Sequence, residues 1–247
     1  MIKAVVLTSA RSGSNLLLSL LNSHPDFHFH GEVFNTERVN TFRSAQILTD
    51  LIGVDPTELR NRDPVKFVDT VYALSPTHLR TVGFKIFLNH DQNVIKRVLD
   101  EREIKIVCLD RSNRLASYSS KLIGEATGVW WVRNGDGAQP EAEDVKVRFV
   151  PENFTEYAEG LDRAYRSADE RLAARGNFIK LNYSDLQSVG KMYALSAFLD
   201  AQKMFEMKPD LVKQNPDDLL GRFENPDEVV DHLEKMDRLY WLQTPEI

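Results

Sequence analysis

The feature that most constrains this chain is an apolar run, a short polar turn and a second apolar run within residues 2–22. Ile2 to Leu7 is rich in β-branched residues with little alternation, which is typical of a strand buried on both faces of a parallel sheet. Leucines then recur from Leu16 to Leu21, and His24-Pro25 predicts the end of a helix. The stretch therefore predicts a central strand, a tight loop and a helix.

The loop between the two runs, Thr8 to Asn15, contains small polar residues, one glycine and one arginine. Gly13 can adopt backbone conformations that other residues resist. A strand that enters a helix through such a loop directs the first helical amides, the positive end of the helix dipole and the Arg11 guanidinium at one place. This combination favours a bound phosphate or sulfate.

Three interpretations of this loop compete. A Walker A loop needs two glycines and a Gly-Lys-Ser/Thr ending, whereas here the cation, Arg11, precedes Ser12-Gly13, so an ordinary ATP site is disfavoured. A plain turn between a strand and a helix is the second interpretation. Third, Arg11-Ser-Gly-Ser14 resembles the 5′-phosphosulfate loop of sulfotransferases that use 3′-phosphoadenosine 5′-phosphosulfate (PAPS), specifically their bacterial and carbohydrate (lipopolysaccharide or Nod-factor) branch. The resemblance implies that Arg11, Ser12, Gly13, Ser14 and Asn15 bind the donor.

Composition indicates one globular domain over residues 1–247, with 42% hydrophobic and 28% charged residues. No apolar stretch approaches the ~20 residues of a membrane-spanning helix. The first strand begins at once, without a signal peptide, so we expect a cytoplasmic protein. The net charge of −6 argues against a general nucleic-acid binder.

The cysteine and histidine pattern gives no indication of a metal site. Cys108 is the single cysteine and lies within an apolar run, which predicts a buried structural thiol. No Cys/His metal spacing occurs, so we expect no metal. A P-loop-like kinase or nucleotide hydrolase, the rival transferase, would need acidic Mg²⁺ ligands after a later strand, and Asp110 alone is placed for that role.

A glutamate follows the first helix in the segment Gly31-Glu32-Val33-Phe34. This setting resembles that of the proposed general base in the bacterial carbohydrate branch. The resemblance implies that Glu32 contacts the acceptor hydroxyl and takes its proton. From the sequence alone, a glutamate that caps the next helix or pairs with Arg38 is an equal alternative.

A third predicted strand, Thr81 to Leu88, carries Lys85 and is followed by His90. Ligands gather at the carboxyl ends of strands in open parallel sheets, so both residues are candidates for the catalytic site. Gly83-Phe-Lys85 resembles the corresponding strand of the sulfotransferases, and His90 is the second candidate base. A solvated or capping histidine is the alternative.

An arginine and a serine follow the predicted strand Ile104 to Leu109. Sulfotransferases carry an arginine at this strand end and a serine eight residues later, and both bind the 3′-phosphate of the donor. The resemblance implies this role for Arg111 and Ser119. A guanidinium can donate two parallel hydrogen bonds to one phosphate. The Asn-Pro-x-Asp of the hormone-type enzymes is absent between these two residues.

Four further residues complete the candidate site. Trp130 or Trp131 could stack on a sugar ring, and packing in the core is the alternative. Tyr183 lies in a Tyr-x-Asp-Leu segment similar to the family's Tyr-Glu-Asp-Leu/Met, which implies a position near the adenine. In PAPS enzymes a late basic loop closes on the 3′-phosphate, and Lys213 is the candidate here.

The remaining patterns predict helices. Residues 35–80 are predicted to form a helical insertion. Asp55-Pro56 and Asp63-Pro64 are helix-start signals within it, and the amphipathic segment 43–52 predicts a further helix. Pro151 predicts a long helix to about residue 175 that Gly176 ends, and Asp185 is the expected cap of a later helix. Residues 200–247 form a predicted C-terminal helical segment, whose tail from residue 231 is expected to be a surface helix.

These elements predict an α/β protein with a central, mostly parallel sheet in a three-layer α/β/α arrangement, the P-loop-like sulfotransferase fold. The implied activity is in-line transfer of the sulfuryl group from PAPS, with 3′-phosphoadenosine 5′-phosphate (PAP) as product. A saccharide or glycolipid acceptor and a hydroxyl or amine of a small secondary metabolite both remain candidates. A non-catalytic nucleotide-binding module of the same fold is the alternative from another class. A homodimer is compatible with the sequence.

Overall fold

A computed structural model describes residues 1–41, 53–73, 75, 78–133, 145–212 and 217–243. A five-stranded parallel sheet forms the centre, in the order β2-β3-β1-β4-β6. Its strands are β1 Ile2–Thr8, β2 Phe27–Glu32, β3 Thr81–Phe87, β4 Lys105–Asp110 and β6 Phe178–Asn182. The predicted parallel sheet, with the first strand at its centre, is confirmed. An antiparallel ribbon joins β5, Val132–Arg133, to β7, Leu211–Val212.

Helices connect these strands and cover both faces of the sheet. They are α1 Ser14–Ser23, α2 Pro56–Arg62, α3 Pro64–Ala73, α4 Gln92–Asp100, α5 Arg114–Thr127, α6 Pro151–Arg175, α7 Val189–Phe198 and α8 Pro226–Lys235. Short 3₁₀ helices occupy Tyr183–Gln187, Leu220–Arg222 and Leu239–Leu242. Within the described ranges, no helix combines the length and apolar character needed to cross a membrane.

Local signals set most helix ends as the sequence predicts. The Asp55 side chain accepts a hydrogen bond from the amide of Thr57 at the start of α2, and Gly176 ends α6 at a positive φ of 67°. The prediction that Asp185 is an N-cap is wrong. Ser188 caps α7 instead. Asn182 caps the preceding 3₁₀ helix, and Asp185 accepts from the Asn182 amide at 2.8 Å as the reciprocal member of its capping box. The predicted helix over residues 43–52 lies outside the described residues.

Alternate residues of β1 face two separate cores, as expected for a strand buried on both faces. Val5 and Leu7 face α3, α4 and α6. Ala4 and Val6 face α1 and α7. Two covered faces establish the predicted three-layer arrangement. Cys108 is fully buried in the first core, and burial raises the pKa of its thiol to about 12, as expected of an inert structural residue.

A third apolar cluster lies beside the sheet and fixes the C-terminal segment. Phe149 and Phe154 pack there with Phe223, and Trp241 is 5% exposed against the Phe154 ring. The prediction of a surface helix over the whole tail is therefore wrong, because α8 ends at Lys235 and the chain then turns to bury Trp241. The amide group of Asn113, the cap of α5, donates to the Trp241 carbonyl at 2.8 Å.

A buried histidine lies on the edge strand β2. His30 is 3% exposed, and its Nε2 lies 3.3 Å from the Ser75 hydroxyl, which itself donates to the Val71 carbonyl. The neutral ring therefore carries its proton on Nε2. Burial, with a smaller effect from the charge of His28, lowers the pKa of His30 to about 3.

Replacing His30 with phenylalanine should make the protein less sensitive to acid. Since the folded-state pKa lies below the unfolded value of 6.5, the unfolded chain binds more protons, and stability is lost as the pH falls from about 6.5 toward 3. Between about pH 7.5 and pH 5, His30→Phe should lose roughly 2 kcal/mol less free energy of unfolding than the wild type. Urea denaturation at both pH values measures this. His78→Phe, at an exposed histidine, is the control. The same pH dependence in His30→Phe and wild type would contradict the prediction.

Candidate active site

The predicted site residues follow three adjacent strands. In the order β3-β1-β4, parallel strands end at the same edge of the sheet. The loop after β1 therefore lies between Lys85, near the end of β3, and Arg111, directly after β4. Sequence spacing alone could not bring these residues together, because the order of the strands in the sheet decides which strand ends are neighbours.

The loop after β1 is held from within. The Thr8 and Ser12 hydroxyls lie 2.6 Å apart, Thr8 also donates to the Leu109 carbonyl at 2.8 Å, and Ser12 donates to the Ser9 carbonyl at 2.8 Å. Arg11 and Gly13 both have left-handed backbones, with φ of 60° and 85°. A non-glycine residue in this region is uncommon, so the surrounding hydrogen bonds have to hold Arg11 there.

Two side chains of this loop, Arg11 and Asn15, form hydrogen bonds with residues outside the loop. The Arg11 guanidinium donates to the Ser120 hydroxyl at 2.7 and 2.9 Å and to the Trp130 carbonyl at 2.7 Å. The Asn15 side-chain oxygen accepts from Lys85 at 2.6 Å. Because the first amides of a helix lack intrahelical acceptors, the main chain at the start of α1 provides the anion-binding donors of the loop.

A β-bulge places Glu32 opposite Lys85. His30 pairs with Phe84, but the register then shifts, so that Glu32 rather than Gly31 pairs with Lys85. A Cβ at Gly31 would lie 3.0 Å from the Asn40 carbonyl oxygen, so this extra residue fits best as glycine. Bulges often redirect a side chain in this way. The result is an ion pair of 2.9 Å between Lys85 Nζ and Glu32 Oε1.

The ion pair is enclosed. The Lys85 side chain is 2% exposed and that of Glu32 is 19% exposed. Burial lowers the pKa of Lys85, and the Glu32 carboxylate opposes that change. Burial alone would raise the pKa of Glu32, but the Lys85 charge, hydrogen bonds from Lys85 and Asn35 and the charge of His90 outweigh it, so the net pKa is lowered. Glu32 is therefore ionised at neutral pH.

His90 lies beside this pair with its ring orientation fixed. Its Nδ1 accepts from the Phe87 amide at 3.3 Å, so the neutral ring carries its proton on Nε2. Burial lowers the pKa of His90, Glu32 opposes the shift, and the charges of Lys85 and Arg60 add to it. At neutral pH His90 therefore presents an N–H donor rather than a basic nitrogen.

Two buried arginines lie on the other side of the loop, one against the loop backbone and one against Ser119. Arg111 is 7% exposed and donates to the Arg11 carbonyl at 3.2 Å. Arg222 is 1% exposed and donates to the Ser119 hydroxyl at 3.1 Å. Ser119 donates in turn to the Ala116 carbonyl at 3.1 Å. The structure thus places Arg111 against the loop backbone and Arg222 against Ser119, and Arg222 is an arginine that sequence reasoning missed. The shared phosphate role of Arg111 and Ser119 stays a prediction.

Nothing in the sequence distinguished Arg222 from the other arginines. It lies between Gly221 and the buried Phe223, and it comes 103 residues after Ser119. The predicted late cation, Lys213, lies outside the described residues. Arg222 occupies the part of the chain in which the late basic loop was expected.

The arginine cluster concentrates positive charge in a buried place. Burial, together with the charges of Arg222 and Arg11 and against the opposing effects of Tyr183 and Tyr157, lowers the pKa of Arg111 to about 10. Burial also lowers the pKa of Arg222 to about 10, against the effects of Tyr183, Asp217 and Asp218. With pKa values of about 10, both guanidinium groups stay charged at neutral pH. This part of the protein is therefore suited to an anion.

Tyr183 connects the arginines to the loop. The Arg111 guanidinium lies 4.4 Å from the centroid of the Tyr183 ring. A Cβ on Gly13 would overlap the same ring, so the loop approaches Tyr183 as closely as glycine allows. Gly13 is thus required twice, for its left-handed backbone and for this contact.

The adjacent tryptophans are outside the core. Trp130 is 45% exposed and Trp131 is 47% exposed. The Arg11 guanidinium lies 5.6 Å from the centroid of the Trp130 ring, which also packs against Gly124. The alternative that one of them packs in the core does not hold. About half of each indole is instead exposed, and the Arg133 guanidinium lies 5.0 Å from the centroid of the Trp131 ring.

Another surface feature shares no residue with this site. An open groove of about 640 Å³ lies between α6 and α8. Five of its ten lining residues are acidic, namely Glu152, Glu156, Glu159, Glu228 and Asp231, and two are basic, Arg163 and Lys235. This charge is unsuited to a polyanionic donor.

Among the described residues, no three His, Cys, Asp or Glu side chains form a group that could hold a metal ion.

Comparison with known proteins identifies the fold. No family model and no curated protein matches the chain. The sulfotransferase domain of the curacin biosynthetic pathway is similar over 100% of this chain and 92% of that one, with 12% identity and a TM-score of 0.53. A sulfotransferase from Alicyclobacillus acidocaldarius matches over 100% and 98%, with 14% identity and a TM-score of 0.47. A mouse sulfotransferase solved with PAP has 10% identity and a TM-score of 0.44; the match covers 83% of this chain and 61% of that enzyme. The predicted sulfotransferase fold is confirmed.

Replacing Gly13 with alanine should destabilise the protein by roughly 1–3 kcal/mol, since the new Cβ both strains a left-handed backbone and meets the Tyr183 ring. In a Tyr183→Ala background the cost should fall, because only the backbone strain remains. Chemical denaturation of the four variants in this cycle measures both effects. An equal cost in both backgrounds would show that the ring contact is unimportant.

Proposed function

We propose that this protein is a PAPS-dependent sulfotransferase that transfers a sulfuryl group to an acceptor hydroxyl or amine. One observation carries the proposal: two buried arginines, Arg111 on the loop backbone and Arg222 on Ser119, lie beside a loop that presents helix-start amides. A single anion would need only one of these two sites, the arginines or the loop amides. A donor with a phosphosulfate at one end and a 3′-phosphate at the other would occupy both.

The residues fit such a donor. The amides from Ser12 to Asn15 would hold the 5′-phosphosulfate, since a helix N-terminus favours an anion. Arg111, Ser119 and Arg222 would hold the 3′-phosphate, for which guanidinium forks are well suited. Tyr183 would lie against the adenine. Bound PAPS supplies the activated sulfuryl group, with PAP as its leaving group.

The protein's own residues would supply positioning and charge. The acceptor oxygen attacks sulfur with its lone pair as its proton passes to a carboxylate oxygen of Glu32. The bond between sulfur and the bridging oxygen breaks, and that electron pair leaves on the 5′-phosphate oxygen. Arg11 and the loop amides would stabilise the charge that grows on these oxygens. The proton and the charge are then both accounted for without a covalent enzyme intermediate.

Glu32 is better suited than His90 to the role of base. Its carboxylate is ionised and 19% exposed, so it can accept a proton. His90 instead accepts the Phe87 amide on Nδ1 and presents Nε2–H. We therefore propose that His90 donates a hydrogen bond in the site while Glu32 takes the proton.

The acceptor that these surroundings favour is a saccharide or glycolipid. The exposed faces of Trp130 and Trp131 can stack on a sugar ring, and Trp130 also contacts Arg11 of the loop. A hydroxyl or amine on another ring compound would fit the same surface and is the second acceptor class to test. Cytoplasmic residence and a homodimer remain predictions from the sequence.

Arg222→Met should weaken PAP binding roughly 10- to 100-fold, because a charged hydrogen bond to the 3′-phosphate is lost. Binding of AMP, which lacks that phosphate, should change little. Isothermal titration without metal measures both ligands, and Arg111→Met should behave similarly.

Arg163→Met is the matched control, because Arg163 is an exposed arginine paired with Glu159 on α6. Equal losses for PAP and AMP in Arg222→Met would remove Arg222 from the 3′-phosphate site. Wild-type binding of ATP with Mg²⁺ in preference to PAP would instead support a nucleotide-dependent kinase or hydrolase.

Glu32→Gln should leave PAP binding intact and lower turnover ~10²- to 10⁴-fold, since the amide cannot take the acceptor proton. Transfer of labelled sulfate from PAPS to a panel of saccharides, glycolipids and phenols provides the assay. Near-normal turnover would return the base role to His90. PAP binding without transfer to any acceptor would support a non-catalytic module of this fold.

A further inference from the structure

The Glu32 carboxylate is held from two sides. Lys85 contacts Oε1 at 2.9 Å, and the Asn35 side chain donates to Oε2 at 3.2 Å. Asn35 cannot rotate freely, because its own side-chain oxygen accepts from the Glu37 amide at 3.0 Å. The orientation of the carboxylate therefore depends on the position of Asn35 as well as on Lys85.

The position of Asn35 depends in turn on a buried arginine from the segment between β2 and β3. Arg60 on α2 is 5% exposed. Its guanidinium donates to the Asn35 carbonyl and lies 3.5 Å from the Val33 carbonyl oxygen and 3.4 Å from that of Thr36. These three carbonyls belong to the turn that immediately follows Glu32.

Arg60 is bound to the backbone of this turn and is not a solvated surface charge. Burying a guanidinium is costly unless its N–H groups find acceptors. Arg60 also donates to the Asn61 side chain at 2.8 and 3.1 Å, so its fork is used on backbone and amide oxygens. A lysine has the charge but not the planar fork needed to span several carbonyls.

We infer that Arg60 is a positioning residue for Glu32: it fixes the turn from Val33 to Thr36 so that Asn35 and Lys85 bracket the carboxylate. This rests on the proposed base role of Glu32, and it gives the inserted helix α2 a part in the reaction. Arg60 acts through Asn35, and Lys85 acts directly on Glu32. Neither residue needs to touch the sulfuryl group for this role.

The test is an NMR titration of the Glu32 carboxyl carbon in full-length protein with ¹³C-labelled glutamate, in which Glu32→Gln identifies the signal. The titratable groups that face Glu32 are Lys85 and His90. Loss of the Asn35 hydrogen bond should raise the titration midpoint of Glu32 by roughly 0.5 to 1 pH unit. Arg60→Met should produce the same rise as Asn35→Ala. Lys85→Met should produce a larger one.

The double variant Arg60→Met/Asn35→Ala should titrate no higher than Asn35→Ala alone, since Arg60 acts through Asn35. Additive rises, or a wild-type midpoint in Arg60→Met, would overturn the inference. Arg62→Met is the matched control, because Arg62 is an exposed arginine on the same helix. If Arg60→Met does not fold, Arg60→Lys replaces it, with the same rise expected and a wild-type midpoint again contradicting the inference.

Activity separates this inference from the proposed function. In a transfer assay with PAPS, Arg60→Met should lower kcat while the dissociation constant of PAP stays within about twofold of wild type. An unchanged kcat would overturn the positioning role. If wild type transfers sulfate to no acceptor, the proposed function fails, while the titration midpoints still report whether Arg60 positions Glu32.

Discussion

The pairing of β1 with a strand on each side is the constraint on which the rest of the structure depends. Because β3 and β4 run parallel to it, the loop after β1, Lys85 and Arg111 meet at one edge of the sheet. Alternate residues of β1 are buried in two separate cores. The strand therefore supports the packing and the candidate site at once, so a change that shifts its register would disturb both.

The site divides positive charge between two tasks. On the β4 side, the buried Arg111 contacts the loop backbone and the buried Arg222 contacts the Ser119 hydroxyl, an arrangement suited to an anion. On the β3 side, Lys85 is paired with Glu32, so its charge keeps a carboxylate ionised. This separation leaves buried arginines and an ionised carboxylate at the same end of the sheet, although the chain carries a net charge of −6.

Local sequence signals predicted the elements well where the physics is local. The long helix α6 begins at Pro151 and ends before Gly176, as its terminal signals indicate. Asp185 was assigned the wrong capping role, since a capping box contains two candidate residues and the sequence does not state which lies outside the helix. The C-terminal tail was placed on the surface because the sequence does not show that Trp241 finds a buried place against Phe154.

The sequence by itself determined the strand, loop and helix at the N-terminus and the parallel sheet, because these follow from local periodicity and turn residues. The roles predicted for Arg111 and Ser119 came instead from the resemblance to sulfotransferases. Only the tertiary structure decided that Arg222 joins Ser119, that the bulge at Gly31 turns Glu32 toward Lys85, and that Arg60 holds the turn beyond it. Each of these depends on contacts between distant segments, which form only when the sheet order and the packing of the whole chain are set.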